Sequence, residues 1–360
     1  MKDVRRKRVV LCTVVMLGIC GSSIYAGGKK EEPSQEPATR TVTDGTGREV
    51  RIPESVTRIA ASGALNQMVF MVGGADTLVA TAEGVQTGLF AKVFPGIKDI
   101  PAAYQGGGRG TLNMETLLAA SPQVVFGTFD ENDAAVLSGA GIAMVGVVLL
   151  TPDDIMQTLQ IVGKIVGPEA EKKAIAFSEY YTGNIETAKS LTAPAETVRV
   201  FVAGSDGSKG PVTTIAGNDI NSSYIAAAGG INIAARQFPT ASAGGSATVN
   251  FEFLLAEQPD VILTSSRTVF DYITDASNNS EWQSLDAVIF GRVYLNPKGV
   301  YLWSVRSAEG ALQPLWIAKV LHPDITESID LEQTVRAFYK EYYYYELSDD
   351  ELADILFPPK

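Results

Sequence analysis

Apolar and polar positions change places in short bursts along the first half of the chain. Arg40-Thr41-Val42-Thr43 and Glu49-Val50-Arg51-Ile52 alternate on either side of Asp44-Gly45-Thr46-Gly47, which predicts a hairpin. Short apolar runs of β type follow at 57–61, 78–81, 124–128 and 143–148, with helix-period segments at about 64–73 and 113–120 between them. Strands alternating with helices predict an α/β fold with a mostly parallel sheet.

Thr151-Pro152-Asp153-Asp154 opens the best-marked helix. Thr151 can cap it, Pro152 suits the first turn, and the two acids favour the positive end of the dipole. Ile155, Leu159, Val162 and Val166 then fall on one face. Gly167-Pro168 interrupts, and a second pattern of Ala174, Phe177, Tyr181 and Ile185 ends before Thr192-Ala193-Pro194. About 22 helical residues there would span about 33 Å at 1.5 Å per residue. A helix of that length at mid-chain is expected to connect two lobes rigidly. Beyond it, strands are expected at 197–203, 261–265, 287–290 and 293–296, and a helix at about 219–228.

An internal repeat supports two lobes. Leu112 through Phe126 aligns without gaps to Val249 through Leu263, with identities at Asn113/Asn250, Glu115/Glu252, Leu117/Leu254, Leu118/Leu255, Ala119/Ala256, Pro122/Pro259 and Val124/Val261. A weaker echo pairs Leu65-Asn66 through Gly73-Gly74 with Ile220-Asn221 through Gly229-Gly230, in the same order. The expected organisation is an N-terminal α/β lobe over 40–167, a connecting helix over 168–192 and a C-terminal α/β lobe over 193–360. Each lobe is expected to be Rossmann-like.

Composition changes the picture at the N-terminus. Residues 1–26 carry Lys2, Arg5, Arg6, Lys7 and Arg8 against Asp3, while the whole chain is at −12. The remainder is therefore strongly acidic and lacks the basic footprint that nucleic-acid binding needs. Val9 to Ile19 is too short to span a bilayer, and with Gly21 to Ala26 it reads as an export signal. Residues 27–39 are polar and punctuated by Pro and Gly, a flexible tether. Both cysteines, Cys12 and Cys20, lie in the signal. Two endings are open: cleavage after Ala26, or acylation of Cys20, since Leu17-Gly18-Ile19-Cys20 resembles a lipoprotein lipobox apart from Ile19. The product is extracytoplasmic, touching a membrane only through a lipid if at all.

Catalytic chemistry is scarce. His322 is the one histidine and precedes Pro323, where a helix should end, so it reads as a last-turn residue. Ser-His-Asp, Cys-His and zinc chemistry have little to work with, and no P-loop pattern occurs. Polar binding chemistry on loops remains. Tyr104-Gln105-Gly106-Gly107-Gly108-Arg109-Gly110 offers glycine-freed backbone N–H groups and a guanidinium fork. Pro297 through Ser307 brings Lys298, Tyr301, Trp303 and Arg306 to one end of a sheet, where open α/β folds bind ligands. Ser62 and Ser265-Ser266-Arg267 follow strands and, with Asn218 in the second lobe, are lesser candidates. The run Tyr342 to Tyr345 reads as packing.

Further segments carry a resemblance. Val42 through Val50, Ala228-Gly229-Gly230-Ile231-Asn232-Ile233-Ala234, Glu252 through Ile262, Trp282 through Val288, Gly291-Arg292-Val293-Tyr294 and Leu315 through Lys319, in this order, resemble substrate-binding proteins of ABC importers for ferric siderophores, haem and cobalamin. The closing Phe338 through Tyr342 and Leu347 through Glu351 resemble an iron(III) subgroup, which is similar to molybdate and tungstate binders too. The resemblance implies a monomeric, non-enzymatic protein with no permanently bound cofactor. It would carry a ferric chelate, or alternatively an oxyanion, to an ABC permease dimer. It also implies that Glu115 and Glu252 dock on the permease. The competing classes are a chelatase-like enzyme, which would be expected to use histidines, and a ligand-sensing lipoprotein.

Overall fold

The hairpin forms first in the chain: β1 (Thr39–Thr43) pairs antiparallel with β2 (Glu49–Pro53), Val42 opposite Val50. The computed structural model describes residues 38–106, 111–204, 212–241, 246–277 and 280–357. The signal, Cys20, nearly all of the tether and Arg109 lie outside them. Asp44 closes the turn by accepting from the Thr46 and Arg48 backbone N–H groups, and Arg48 stacks over Phe129, 3.3 Å from the ring centroid.

Five parallel strands build the first sheet, in the order β5-β4-β3-β6-β7. In chain order its elements are β3 (Ile59–Ala61), α1 (Leu65–Met71), β4 (Leu78–Ala82), α2 (Phe90–Val93), β5 (Ala102–Tyr104), α3 (Met114–Ala119), β6 (Val124–Gly127), α4 (Glu131–Gly139) and β7 (Ala143–Gly146). Then α5 (Pro152–Val166) begins with the expected Thr151 cap, completed into a capping box by Asp154. The long helix α6 (Pro168–Thr192) has 25 residues. Gly163 lets the two helices close together, because a Cβ there would stand 2.9 Å from the Ala170 carbonyl oxygen and from Ala174.

The second sheet, β10-β8-β12-β13, is also parallel. It comprises β8 (Val198–Ala203), then β9 (Thr213–Ile215) outside the sheet, α7 (Ile220–Ala227), β10 (Gly230–Asn232), β11 (Ser246–Thr248) paired with β9, α8 (Phe251–Glu257), β12 (Val261–Thr264), α9 (Arg267–Thr274), α10 (Asp286–Ile289) and β13 (Val293–Leu295). The strand expected at 287–290 is instead the one-turn helix α10. Four apolar residues carry no strand-defining alternation, and Gly291, at φ +66°, ends the turn before β13. The chain closes with α11 (Gln313–Leu321), α12 (Leu331–Tyr342) and α13 (Asp349–Leu356).

Strand alternation sorts the core. Val200, Val202, Val261 and Leu263 face a core shared with the first sheet, α5, α6, α11 and α12, whereas Phe201, Ala203 and Ile262 face a separate cluster around Trp282 and Leu285. The tyrosine run packs as expected. Tyr342 lies against Phe177 and Phe338, and Tyr344 donates to the Met71 carbonyl on the far side of α1. The sequence is thus an α/β protein with two parallel sheets and one long helix between them in the chain.

Candidate functional site

Parallel strands end together, so the residues just beyond them share one edge. In the first sheet β3 delivers Ser62, β5 delivers Tyr104, and β6 ends at Gly127. A Cβ on Gly127 would stand 3.9 Å from both Ser62 Oγ and Tyr104 Oη, so the two hydroxyls converge over a glycine that keeps the space open. Burial, reinforced by the Asp133 carboxylate, pushes the Tyr104 phenol well above its ordinary range. At neutral pH it is a hydrogen-bond donor, not a phenolate.

The second sheet presents a denser network at the same edge. Ser265, just after β12, shares a 2.6 Å hydroxyl contact with Ser304. The Asn296 amide, just after β13, donates to the Thr264 carbonyl at 3.1 Å and to Ser265 at 3.3 Å, and accepts from Gln313 at 2.6 Å. Asp219 caps α7 through the Asn221 N–H, while its other oxygen lies 3.3 Å from the Arg306 guanidinium. Asn221 completes the ring by donating to the Ser304 carbonyl at 2.6 Å. Two buried donors there meet no acceptor among the described residues: Arg306 Nε and Trp303 Nε1. An orphaned buried donor costs about 1–3 kcal/mol, a cost that an anionic ligand would remove.

A tight turn precedes them. Glu309, fully buried, accepts from the Val300 N–H at 3.1 Å, the Tyr301 N–H at 2.6 Å and the Tyr339 hydroxyl. Burial raises its carboxyl to about 7. Gly299 is required at this turn, because a Cβ would collide with both Glu309 and Tyr339.

The structure therefore brings Ser62 to Tyr104, and Arg306 to the Ser265–Ser304 pair through Asn221. Three other expected residues are placed differently. Trp303 is fully buried and serves chiefly as packing, because a large ring following the tight 297–302 turn is driven into the shared core. Asn218 uses both ends of its amide on Ala241, accepting at 3.0 Å and donating at 3.2 Å, and so ties a loop instead of presenting donors. Lys298 is exposed, and its backbone N–H bonds to the Ile355 carbonyl of α13. Tyr301 is half-buried, its phenol raised by burial. Asp219, Asn221, Asn296, Gln67 and Glu309 were not singled out. Their one signal is a polar residue inside an apolar stretch, as in Leu65-Asn66-Gln67-Met68 and Ala308-Glu309-Gly310-Ala311.

The repeated glutamates occupy matched places. Glu115 and Glu252 are exposed in the first turns of α3 and α8, each capped by an asparagine 3.0 Å from a backbone N–H, Asn113 to Thr116 and Asn250 to Phe253. Among the described residues neither glutamate enters an ion pair, no group of three or more His, Cys, Asp or Glu side chains is arranged to hold a metal, and no helix is long and apolar enough to cross a membrane.

Two parallel sheets, each with polar donors just beyond its strand ends, suit the binding of a solute. Residues 59–299 match the family model described as periplasmic binding protein, and the chain belongs to that family, whose members work with ABC permeases outside the cytoplasm. The molybdate-binding protein MolA of Haemophilus influenzae is 23% identical over 349 residues, covering 88% of this chain and 94% of that protein. Its molybdate-bound structure superposes with a TM-score of 0.72 at 21% identity, over 86% of this chain and 99% of the other. A periplasmic solute-binding protein from Veillonella parvula gives a TM-score of 0.75 at 24% identity, over 89% and 97% of the two chains.

Proposed function

We propose that this protein captures an anionic metal–oxygen species between its lobes and delivers it to an ABC permease without chemical change. The observation that carries this reading is a donor-rich, protonated site: the Ser62 and Tyr104 hydroxyls on one sheet, and Ser265, Ser304 and the Arg306 guanidinium, with its orphaned Nε, on the other. Hydroxyl and guanidinium donors match the oxygens of a small oxyanion. Between the two cargo classes that the sequence raises, the donor set favours an oxyanion of the molybdate or tungstate kind over a ferric chelate. The similarity to a molybdate-binding protein points the same way.

The test is intrinsic tryptophan fluorescence of the purified protein titrated with molybdate, tungstate, a ferric siderophore, haem and cobalamin. Saturable quenching by molybdate and tungstate alone is expected. Saturable quenching by a ferric siderophore alone would replace the oxyanion with a ferric chelate.

A further inference from the structure

Asn66 and Gln67 stand side by side on α1, fully buried in an otherwise apolar helix. Asn66 stays local, bonding the Ala61 and Gly63 carbonyls and Thr81. Gln67 reaches across the molecule. Its Oε1 accepts from the Ala308 N–H at 3.1 Å, and its amide donates to the Tyr343 hydroxyl. Ala308 opens the 3-10 helix Ala308–Leu312, which runs straight into α11, and Ser307 gives that helix no side-chain cap. Helix N-termini carry orphan N–H groups that need an acceptor. Here the acceptor comes from the other lobe, and the capped residue lies two positions beyond Arg306.

We propose that Gln67 is a positioning residue of the ligand site: a cap supplied in trans from the first lobe that fixes the Trp303–Ala308 segment, and with it Arg306, relative to Ser62 in the turn before α1. The inference that this segment takes part in binding rests on the anion-site reading above; the capping itself does not. Tyr343 is the internal control, because its hydroxyl meets the amide end of Gln67 while the Ala308 N–H meets the Oε1 end. Tyr343→Phe breaks one of the two Gln67 bonds and leaves the Ala308 cap in place. Gln67→Met keeps the side chain's length and loses both bonds. Gln67→Glu keeps an acceptor for Ala308 and can accept a hydrogen bond from the Tyr343 hydroxyl.

The experiment has two arms on the purified protein. Hydrogen exchange without ligand is expected to show the 303–310 amides exchanging at least about tenfold faster in Gln67→Met, and near wild type in Tyr343→Phe and Gln67→Glu. Molybdate titration is expected to show about tenfold weaker binding in Gln67→Met and little change in the other two. Unchanged exchange at 303–310 in Gln67→Met overturns the proposal. So does affinity that falls in Tyr343→Phe as far as in Gln67→Met, which would make the network merely structural. Wild-type protein that ignores molybdate sinks the cargo reading, while accelerated exchange in Gln67→Met still supports the cap. Should Gln67→Met fail to fold, Gln67→Glu and Tyr343→Phe carry the test, and loosening of 303–310 in Tyr343→Phe but not elsewhere overturns it.

Discussion

Ser121 and Gln258 adopt the same left-handed backbone, at φ +46° and +38°, at the point where α3 turns into β6 and α8 turns into β12. They are aligned positions of the internal repeat, so both copies share a cap, a left-handed exit and a proline before the strand. Non-glycine residues pay roughly 1 kcal/mol for that conformation. Ser121→Gly is expected to raise stability by up to about 1 kcal/mol in urea unfolding. Gln258→Gly is expected to gain less, because Gln258 also accepts from the Asp286 N–H at 3.1 Å. Equal gains at the two positions would show that this bond contributes nothing.

Each repeat also presents one exposed glutamate, Glu115 and Glu252. A double Glu115→Ala, Glu252→Ala variant is expected to lose binding to its cognate permease while keeping wild-type ligand affinity and melting temperature. Pull-down on permease-containing membranes with a parallel ligand titration reads both. Undiminished capture would remove the docking role.

Arg306 is held at the second sheet's strand ends by a buried partner, Asp219. Arg306→Ala is expected to weaken oxyanion binding by about 10- to 100-fold, the range of a charge-assisted hydrogen bond. Arg306→Lys is expected to recover only part of it, since the fork geometry is lost. Wild-type affinity in Arg306→Ala would move the site elsewhere.

Glu309 ties stability to pH. Its folded carboxyl sits at about 7 against an ordinary 4.5, so between those values the folded chain holds a proton that the unfolded chain releases. The groups facing it are the Tyr339 and Tyr343 hydroxyls, and among the described residues no basic side chain pairs with it. Its contribution is therefore complete below about pH 4.5 and lost as pH rises through 7, a decline of about 3 kcal/mol. Urea midpoints measured from pH 4 to 8 should fall more steeply in wild type than in Glu309→Gln. Parallel profiles would show that Glu309 does not titrate in this range.

Much of this architecture was legible in local chemistry. Gly167-Pro168 and Pro194 bracket a helix that runs from Pro168 to Thr192, and Thr151 with Pro152 fixes the start of α5. Ser62 was legible because it follows a strand, and Tyr104 because it opens a glycine-rich stretch. What escaped depends on distant partners. Trp303 looked like a ligand group until the tight turn before it sent its ring inward. Gln67 and Glu309 act on residues that only tertiary packing brings near, Gln67 on a backbone N–H 241 positions away. The three-residue strand β5 is too short to show a period.

Calorimetric titration of the purified protein with molybdate asks whether protonated donors on the two sheet edges hold an oxyanion. One-site saturable binding is predicted, competed by tungstate and weakened in both Tyr104→Phe and Arg306→Ala. Absence of molybdate binding by folded wild-type protein, or binding that neither substitution weakens, would contradict it.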